Sequence, residues 1–382
     1  MANSKVTAIL DLALQKASKS IKKSTINNAE IIQRIELIAR NAQNRACVRF
    51  IMSCSLAKID KPGIDIRKPY TEIGDDDSFS GRTYDEAYIT EFVNRHELPC
   101  NSTTAFLTPA FRNRNVVLTP YVNLVGRPES VYKATLQLLD DVYQKKITAD
   151  ELLTETVRWL LIVRDEKRQR MSSLLAGLKA AKGETSLPAE GIVNLIEQHL
   201  KLKNSSRLPV LVVAAAYEAA SDYLREQIQP LQGHNAADKQ TGSLGDLEIT
   251  LTDEQQVVTS YEMKTRKVTK NDLDHAVEKV FKSGQSIQNY IFITTEVIDQ
   301  EVVNHAYGMY EKTGVEMVVL DCIGFLRHFL HLFYRLRMRF LEAYQELLLI
   351  EPESAVSQPL KEAFLALRQA AETQENQAGL YE

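Results

Sequence analysis

Residues 242–264, GSLGDLEITLTDEQQVVTSYEMK, constrain this chain more tightly than any other stretch. DLEITL alternates. Leu247, Ile249 and Leu251 fall on one side of an extended chain, and Asp246, Glu248 and Thr250 on the other. VVTSYEMK is rich in β-branched and aromatic residues, and TDEQQ has the polarity and length of a hairpin connector. Pairing Leu251 with Val257 sets Asp246 opposite Glu262. Opposed residues share a face, and Lys264, two residues on, shares it too. The pattern predicts two carboxylates and an ammonium on one surface, backed by Leu, Ile and Met.

Two carboxylates that close repel unless a cation lies between them. Hard oxygen ligands of this kind suit magnesium, and a lysine beside the ion can hold or help deprotonate an attacking water. This is the equipment of phosphodiester hydrolysis. The same letters also fit a solvated strand face, where an acid and a lysine two residues apart are common.

A length of 382 residues exceeds most single cores and predicts two domains. Apolar content of 44% and charged content of 25% are ordinary for a globular protein. A net charge of −4 argues against indiscriminate coating of nucleic acid but leaves room for a local basic cleft. Cys47, Cys54, Cys100 and Cys322 form no C-x-x-C pair and fit a reduced, cytoplasmic protein. MANSKVTAIL lacks the apolar run of a signal peptide, and the greasy stretch from Val315 to Ile350 carries too many arginines to span a membrane.

The N-terminal half reads as helices at 3–23, 28–44, 128–144, 148–164 and 166–182, with Asn27 or Asn28 and a Thr148–Glu151 box as caps. CVRFIMSCSLAKID has no clear period. Two polar, turn-rich segments interrupt the helices. One holds Asp75-Asp76-Asp77 followed by Ser80, Gly81 and Arg82; the other holds Asn101, Thr103, Thr104, Arg112, Asn113 and Arg114. Such residues reach phosphates and base edges, and equally furnish ordinary surface loops; the three aspartates fit a solvated turn or a second metal site. Arg164, Lys167, Arg168 and Arg170 form a basic cluster that suits a solvated helix face or phosphate contact. GETSLP (183–188) is the expected linker, giving a mostly helical domain at 1–185, a second domain at 186–350 and a partly disordered tail at 351–382, with one weak amphipathic segment at 360–371 before TQENQAG.

The second half reads as helices at 189–203 and 209–228, the hairpin, and a helix from a Thr269–Asp272 cap. NYIFITT (289–295), a helix at 298–313, VEMVVLD (315–321) and a long helix at 323–350 follow. Glu218, mid-helix upstream of the hairpin, is either a third acid at the site or an exposed glutamate. QGHNAADKQTGSLG is a flexible approach to Asp246. On the last helix Arg327, His331, Arg335 and Arg339 would line one stripe, suited to a dimer interface or to phosphates. The whole is an α+β or α/β arrangement, a mixed sheet flanked by helices.

In this order the residues resemble the PD-(D/E)XK nuclease fold. There an Asp at the start of one strand and an acid-x-Lys on the next bind magnesium and water. Asp246, Glu262 and Lys264 match, with Glu218 as a possible preceding-helix acid; Gly245 stands where the family has proline. SFSGRTYDEAYI and NSTTAFLTPAFRNRN resemble type II restriction endonucleases of the SacI type. The resemblance implies a Mg2+-dependent enzyme that cuts both strands of a specific double-stranded DNA site, leaving 5′-phosphate and 3′-hydroxyl ends. It implies a homodimer, with Ser80, Gly81, Arg82, Asn101, Thr103, Thr104, Arg112, Asn113 and Arg114 as DNA-contact candidates. A repair or junction nuclease of the same fold, and a non-enzymatic helical scaffold, are the alternatives.

Overall fold

The computed structural model describes residues 2–101, 103–112, 115–181, 186–231, 243–254, 256–285 and 287–378. The chain divides into two compact units, one ending at Arg170 and the other beginning at Met171. The division therefore falls within helix α7 (Ala149–Ala181) rather than at 185. The expected helices at 148–164 and 166–182 are one helix, because nothing between Arg164 and Glu166 breaks the pattern. The first half of GETSLP, 183–185, lies outside the described residues.

Among its described residues, the first unit has only helices as regular elements. It contains α1 (Ala2–Lys19), α2 (Ala29–Arg40), α3 (Ala46–Asp60), α4 (Gly81–Tyr84), α5 (Thr90–Arg95), α6 (Glu129–Tyr143) and the start of α7. Asn28 caps α2, accepting from the N–H groups of Glu30 and Ile31. Thr148 and Glu151 exchange bonds as a capping box at α7. CVRFIMSCSLAKID is α3. It shows no period because Phe50, Ile51, Met52, Cys54 and Leu56, on all sides of it, are buried.

The second unit is a five-stranded mixed sheet between helices. After α8 (Ala189–Leu200) and α9 (Leu208–Ala220) come β1 (Glu226–Ile228), β2 (Leu247–Leu251) and β3 (Val257–Lys264). Next are α10 (Lys270–Ser283), β4 (Asn289–Thr294), α11 (Gln300–Thr313) and β5 (Glu316–Asp321). The unit ends with α12 (Cys322–Leu332), α13 (Arg337–Ile350) and α14 (Gln358–Ala378). The strands lie in the order β1-β2-β3-β4-β5; β1/β2 and β2/β3 are antiparallel, β3/β4 and β4/β5 parallel. One face (Leu247, Ile249, Tyr261, Met263, Ile291, Ile293) packs with α8, α9, α12, α13 and α14. The other (Tyr290, Phe292, Met317, Val319) packs with α10 and α11.

Three expectations change here. The helix expected at 209–228 ends at Ala220, and Glu226–Ile228 extend beside β2. The helix expected at 323–350 breaks at a 3-10 turn, Tyr334–Leu336. That break disperses the basic stripe: Arg327 and His331 pair with Glu190, whereas Arg339 pairs with Asp222. Finally, the expected tail carries α14, whose Leu360, Phe364 and Leu365 are buried in the core of this unit. His199, buried in α8, bonds both Tyr344 and the Leu360 carbonyl, and burial lowers its pKa to about 4, so a neutral ring ties α14 to the core. Among the described residues no helix is long and apolar enough to cross a membrane.

Phe364 is fully buried, so Phe364→Ala should cost about 3–5 kcal/mol through lost burial and the cavity left behind. Urea unfolding checks this; a change within ±0.5 kcal/mol would mean the C-terminal segment is not integral to the core.

Candidate active site

Asp246, Glu262 and Lys264 are brought to one edge of the sheet by the β2/β3 ladder. Leu247 pairs with Tyr261, Glu248 with Ser260 and Ile249 with Thr259, and Asp246, one residue before this ladder, is bonded to Tyr261 and Met263 on either side of Glu262. The expected pairing of Leu251 with Val257 does not occur. A bulge shifts the register between Ile249 and Thr250, so Thr250 faces Val257. The irregularity sits at the turn end, and the acids lie at the other. Parity at the site end is as the alternation demands: Leu247, Ile249, Tyr261 and Met263 enter the α8–α9 core, and the charged side chains project from the opposite face.

Asp246 is fixed twice. Its N–H donates to the Tyr261 carbonyl at 2.8 Å, and its Oδ2 accepts from the Met263 N–H at 2.7 Å. Its other oxygen, Oδ1, has no hydrogen-bond partner among the described residues. Glu262 Oε1 accepts from Lys264 Nζ at 2.6 Å, and Tyr290 Oη lies 3.3 Å from Oε2. Side-chain exposure is 19% for Glu262 and 23% for Lys264, so both are accessible yet largely desolvated. Burial first, and then the Asp246 charge, raise the Glu262 pKa above the ordinary carboxylate range, while Lys264 and Lys279 oppose the rise.

Gly245 is dictated by this geometry. A Cβ there would lie 2.4 Å from both Ser260 Oγ and the Tyr261 carbonyl oxygen, far inside contact distance. The close backbone approach that delivers Asp246 leaves no room for a side chain at 245.

The structure does not bring Glu218 to this group. Its helix lies on the Tyr261 side of the sheet, with Tyr217 Oη 3.0 Å from Tyr261 Oη, opposite to Glu262. Burial first, and then Glu346, raise the Glu218 pKa; Arg339 opposes. Glu218 lines a cleft of about 310 Å³ with Tyr217, Glu226 and Leu347.

The DNA-contact candidates occupy varied settings in the first unit. Arg82 and Arg112 are exposed, as is Thr103, and Arg82 pairs with Glu86. Ser80 caps α4, accepting from the Thr83 N–H. Gly81 is a packing glycine: a Cβ would lie 2.4 Å from Phe106 Cζ. Thr104 is buried and donates to Asp85, and the Asn101 carbonyl accepts from Arg49, so both serve a buried Arg49–Asp85 pair at 2.5 Å. Asn113 and Arg114 lie outside the described residues. Asp75 and Asp77 both pair with Lys68, which fits the solvated-turn alternative. Arg164 and Arg168 pair with Asp165 and Glu97.

Sequence reasoning missed Tyr290, Lys279 and Arg266, all of which act on Glu262. Tyr290 was within reach: β4 runs parallel to β3 with Ser260 beside Tyr290 and Glu262 beside Phe292, but that register is invisible before the strands are paired. Lys279 and Arg266 carry no local signal.

Two outcomes follow. Gly245→Ala should destabilise the protein by about 1–3 kcal/mol, because the Tyr261 carbonyl is backbone and cannot yield as a flexible side chain would. Chemical denaturation reads it directly, and wild-type stability would refute the close approach. Glu262 has a folded-state pKa above its unfolded value, so its ionisation disfavours the metal-free fold at pH above the folded pKa and not below the unfolded one. Glu262→Gln should therefore melt higher than wild type in EDTA at neutral pH, with the gap closing as pH falls toward the ordinary glutamate range. A gap that widens on acidification would reverse the sign.

Among curated proteins, no match was found. Residues 184–296 match the family model described as the SacI restriction endonuclease C-terminal domain, a span that contains the strands bearing Asp246, Glu262, Lys264 and Tyr290. Over that span the chain is similar to the C-terminal domain of SacI restriction endonucleases.

Proposed function

We propose that this protein is a magnesium-dependent type II restriction endonuclease of the SacI type, which hydrolyses both strands of a short specific DNA site at Asp246, Glu262 and Lys264 in the manner of the PD-(D/E)XK fold. The observation that carries the proposal is the electrostatic coupling of Asp246 and Glu262 on one sheet face, beside a lysine ammonium. Two carboxylates with that mutual repulsion gain from a shared cation. Among the described residues no three His, Cys, Asp or Glu gather as a metal cluster. Two carboxylates, completed by waters and substrate phosphate oxygens, are what magnesium ordinarily takes from a nuclease. The residues fit the ion.

Asp246 and Glu262 would hold the metal, Asp246 through the oxygen not engaged by the Met263 N–H. When bound, magnesium supplies positive charge against the developing charge on the phosphate. Lys264, now on Glu262, orients the attacking water by donating to it and steadies the phosphate. Attack in line with the departing 3′ oxygen leaves 5′-phosphate and 3′-hydroxyl ends. Sequence-specific cutting of a two-fold-symmetric site calls for a homodimer. Base reading falls to the first unit, where Arg82, Thr103 and Arg112 are exposed; Gly81 and Thr104 are committed to packing and buried bonding and drop from the candidates.

Digestion of a mixed-sequence plasmid with Mg2+ should give discrete fragments, and none in EDTA. Asp246→Ala and Lys264→Ala should each lower the cleavage rate by about 10²–10⁴-fold. Near wild-type cleavage by either variant would remove that residue from the site, and a smear would exclude site specificity.

A further inference from the structure

A buried tyrosine and a strand carboxylate grip the peptide that leads into Asp246. Tyr290 is 1% exposed, yet its hydroxyl lies 2.8 Å from the Leu244 carbonyl and 3.3 Å from Glu262 Oε2. A hydroxyl has one proton, and the shorter distance assigns it chiefly to Leu244. On the other side of the same residue, the Leu244 N–H donates to Glu248 Oε1 at 2.6 Å. Leu244 is therefore held by β4 through its carbonyl and by β2 through its N–H, two residues before Asp246. Tyr290 reaches both halves of the two-acid group, the turn that delivers Asp246 and the side chain of Glu262.

We propose that Tyr290 and Glu248 are positioning residues that fix the separation of Asp246 and Glu262 for divalent-cation binding. The inference rests on the magnesium reading above. Like charges at Asp246 and Glu262 push the turn and β3 apart. The two bonds to Leu244 oppose that displacement, holding the oxygens where one ion meets both. Partners that orient a metal's ligands without touching it commonly govern affinity by about 10–100-fold. Glu248 serves here as a turn clamp although it shares a face with the two acids.

The test uses the full chain and Mn2+ as the probe, by calorimetry without DNA and as the Mn2+ concentration giving half-maximal plasmid cleavage. Tyr290→Phe keeps the buried ring and removes only the hydroxyl. Expected are a loss of Mn2+ affinity of about 10–100-fold, a matching rise in the half-maximal concentration, and unchanged DNA affinity in EDTA. A merely structural tyrosine would leave the Mn2+ affinity of the folded variant untouched, and that result overturns the proposal. If circular dichroism shows Tyr290→Phe unfolded, Glu248→Ala, which removes the acceptor for the Leu244 N–H, is read the same way: weakened Mn2+ binding supports the clamp and wild-type binding overturns it. Asp246→Ala separates the two readings. If it binds Mn2+ as wild type does, the metal site itself is wrong; if it loses Mn2+ while Tyr290→Phe does not, only the clamp fails.

Discussion

The second unit turns on a backbone contact that straddles Glu262. Asp246 donates its N–H to the Tyr261 carbonyl and accepts, through its side chain, from the Met263 N–H. Glu262 lies between these two bonds, so its direction is set by the same contact that sets Asp246. Two acids held by backbone cannot relax apart by changing rotamer alone. Burial first, and the Asp246 charge second, raise the Glu262 pKa. The missing Cβ at Gly245 and the two-sided hold on Leu244 are conditions for the same close approach.

Opposite the charged face, the sheet rests on α9, where LPVLVVAAAYEAA is buried along almost its whole length. Its small residues let α13 lie close against it, and α9 shares one core with Leu247, Ile249, Tyr261 and Met263. Reversing the parity of either strand would put carboxylates into this layer, at several kcal/mol each. The apolar packing behind the sheet and the charged edge in front of it are thus one constraint seen from two sides. Glu218, on the packing side, is excluded from the acid pair by that arrangement.

What could be read from the sequence follows the range of the interactions involved. The caps at Asn28, Thr148 and Thr269 are contacts within four residues and were legible. So was the common face of Asp246, Glu262 and Lys264, because alternation in two adjacent strands fixes it. The runs at β4 and β5 were legible as buried strands. By contrast, α3 hides its helical period because it is buried all round, and the three-residue β1 is too short to alternate. Thr104 reads as a polar loop residue, and only a partner 19 positions away, Asp85, claims its hydroxyl. The segment after Glu351 is polar in composition, but its few apolar residues, Leu360, Phe364 and Leu365, fall at helical spacing and are buried.

The bulge explains why an incorrect pairing at the turn left the site intact. Were the offset at Thr250 and Val257 carried through the whole hairpin, Asp246 would face Tyr261 and the acids would lie on opposite sides of the sheet. Instead the extra residue is absorbed next to the connector, where Thr250 is buried with its hydroxyl accepting from Gln229 Nε2. β3 is also held from its other side. Its parallel ladder to β4 runs unbroken from Thr259 to Lys264, so Glu262 keeps its orientation whatever the turn does. The direction of Glu262 is therefore held by β4 on one side and by the Asp246 contact on the other, and that of Asp246 by Tyr261 and Met263. A connector of almost any local geometry is compatible with the same charged edge, which is why strand alternation alone was enough to find it.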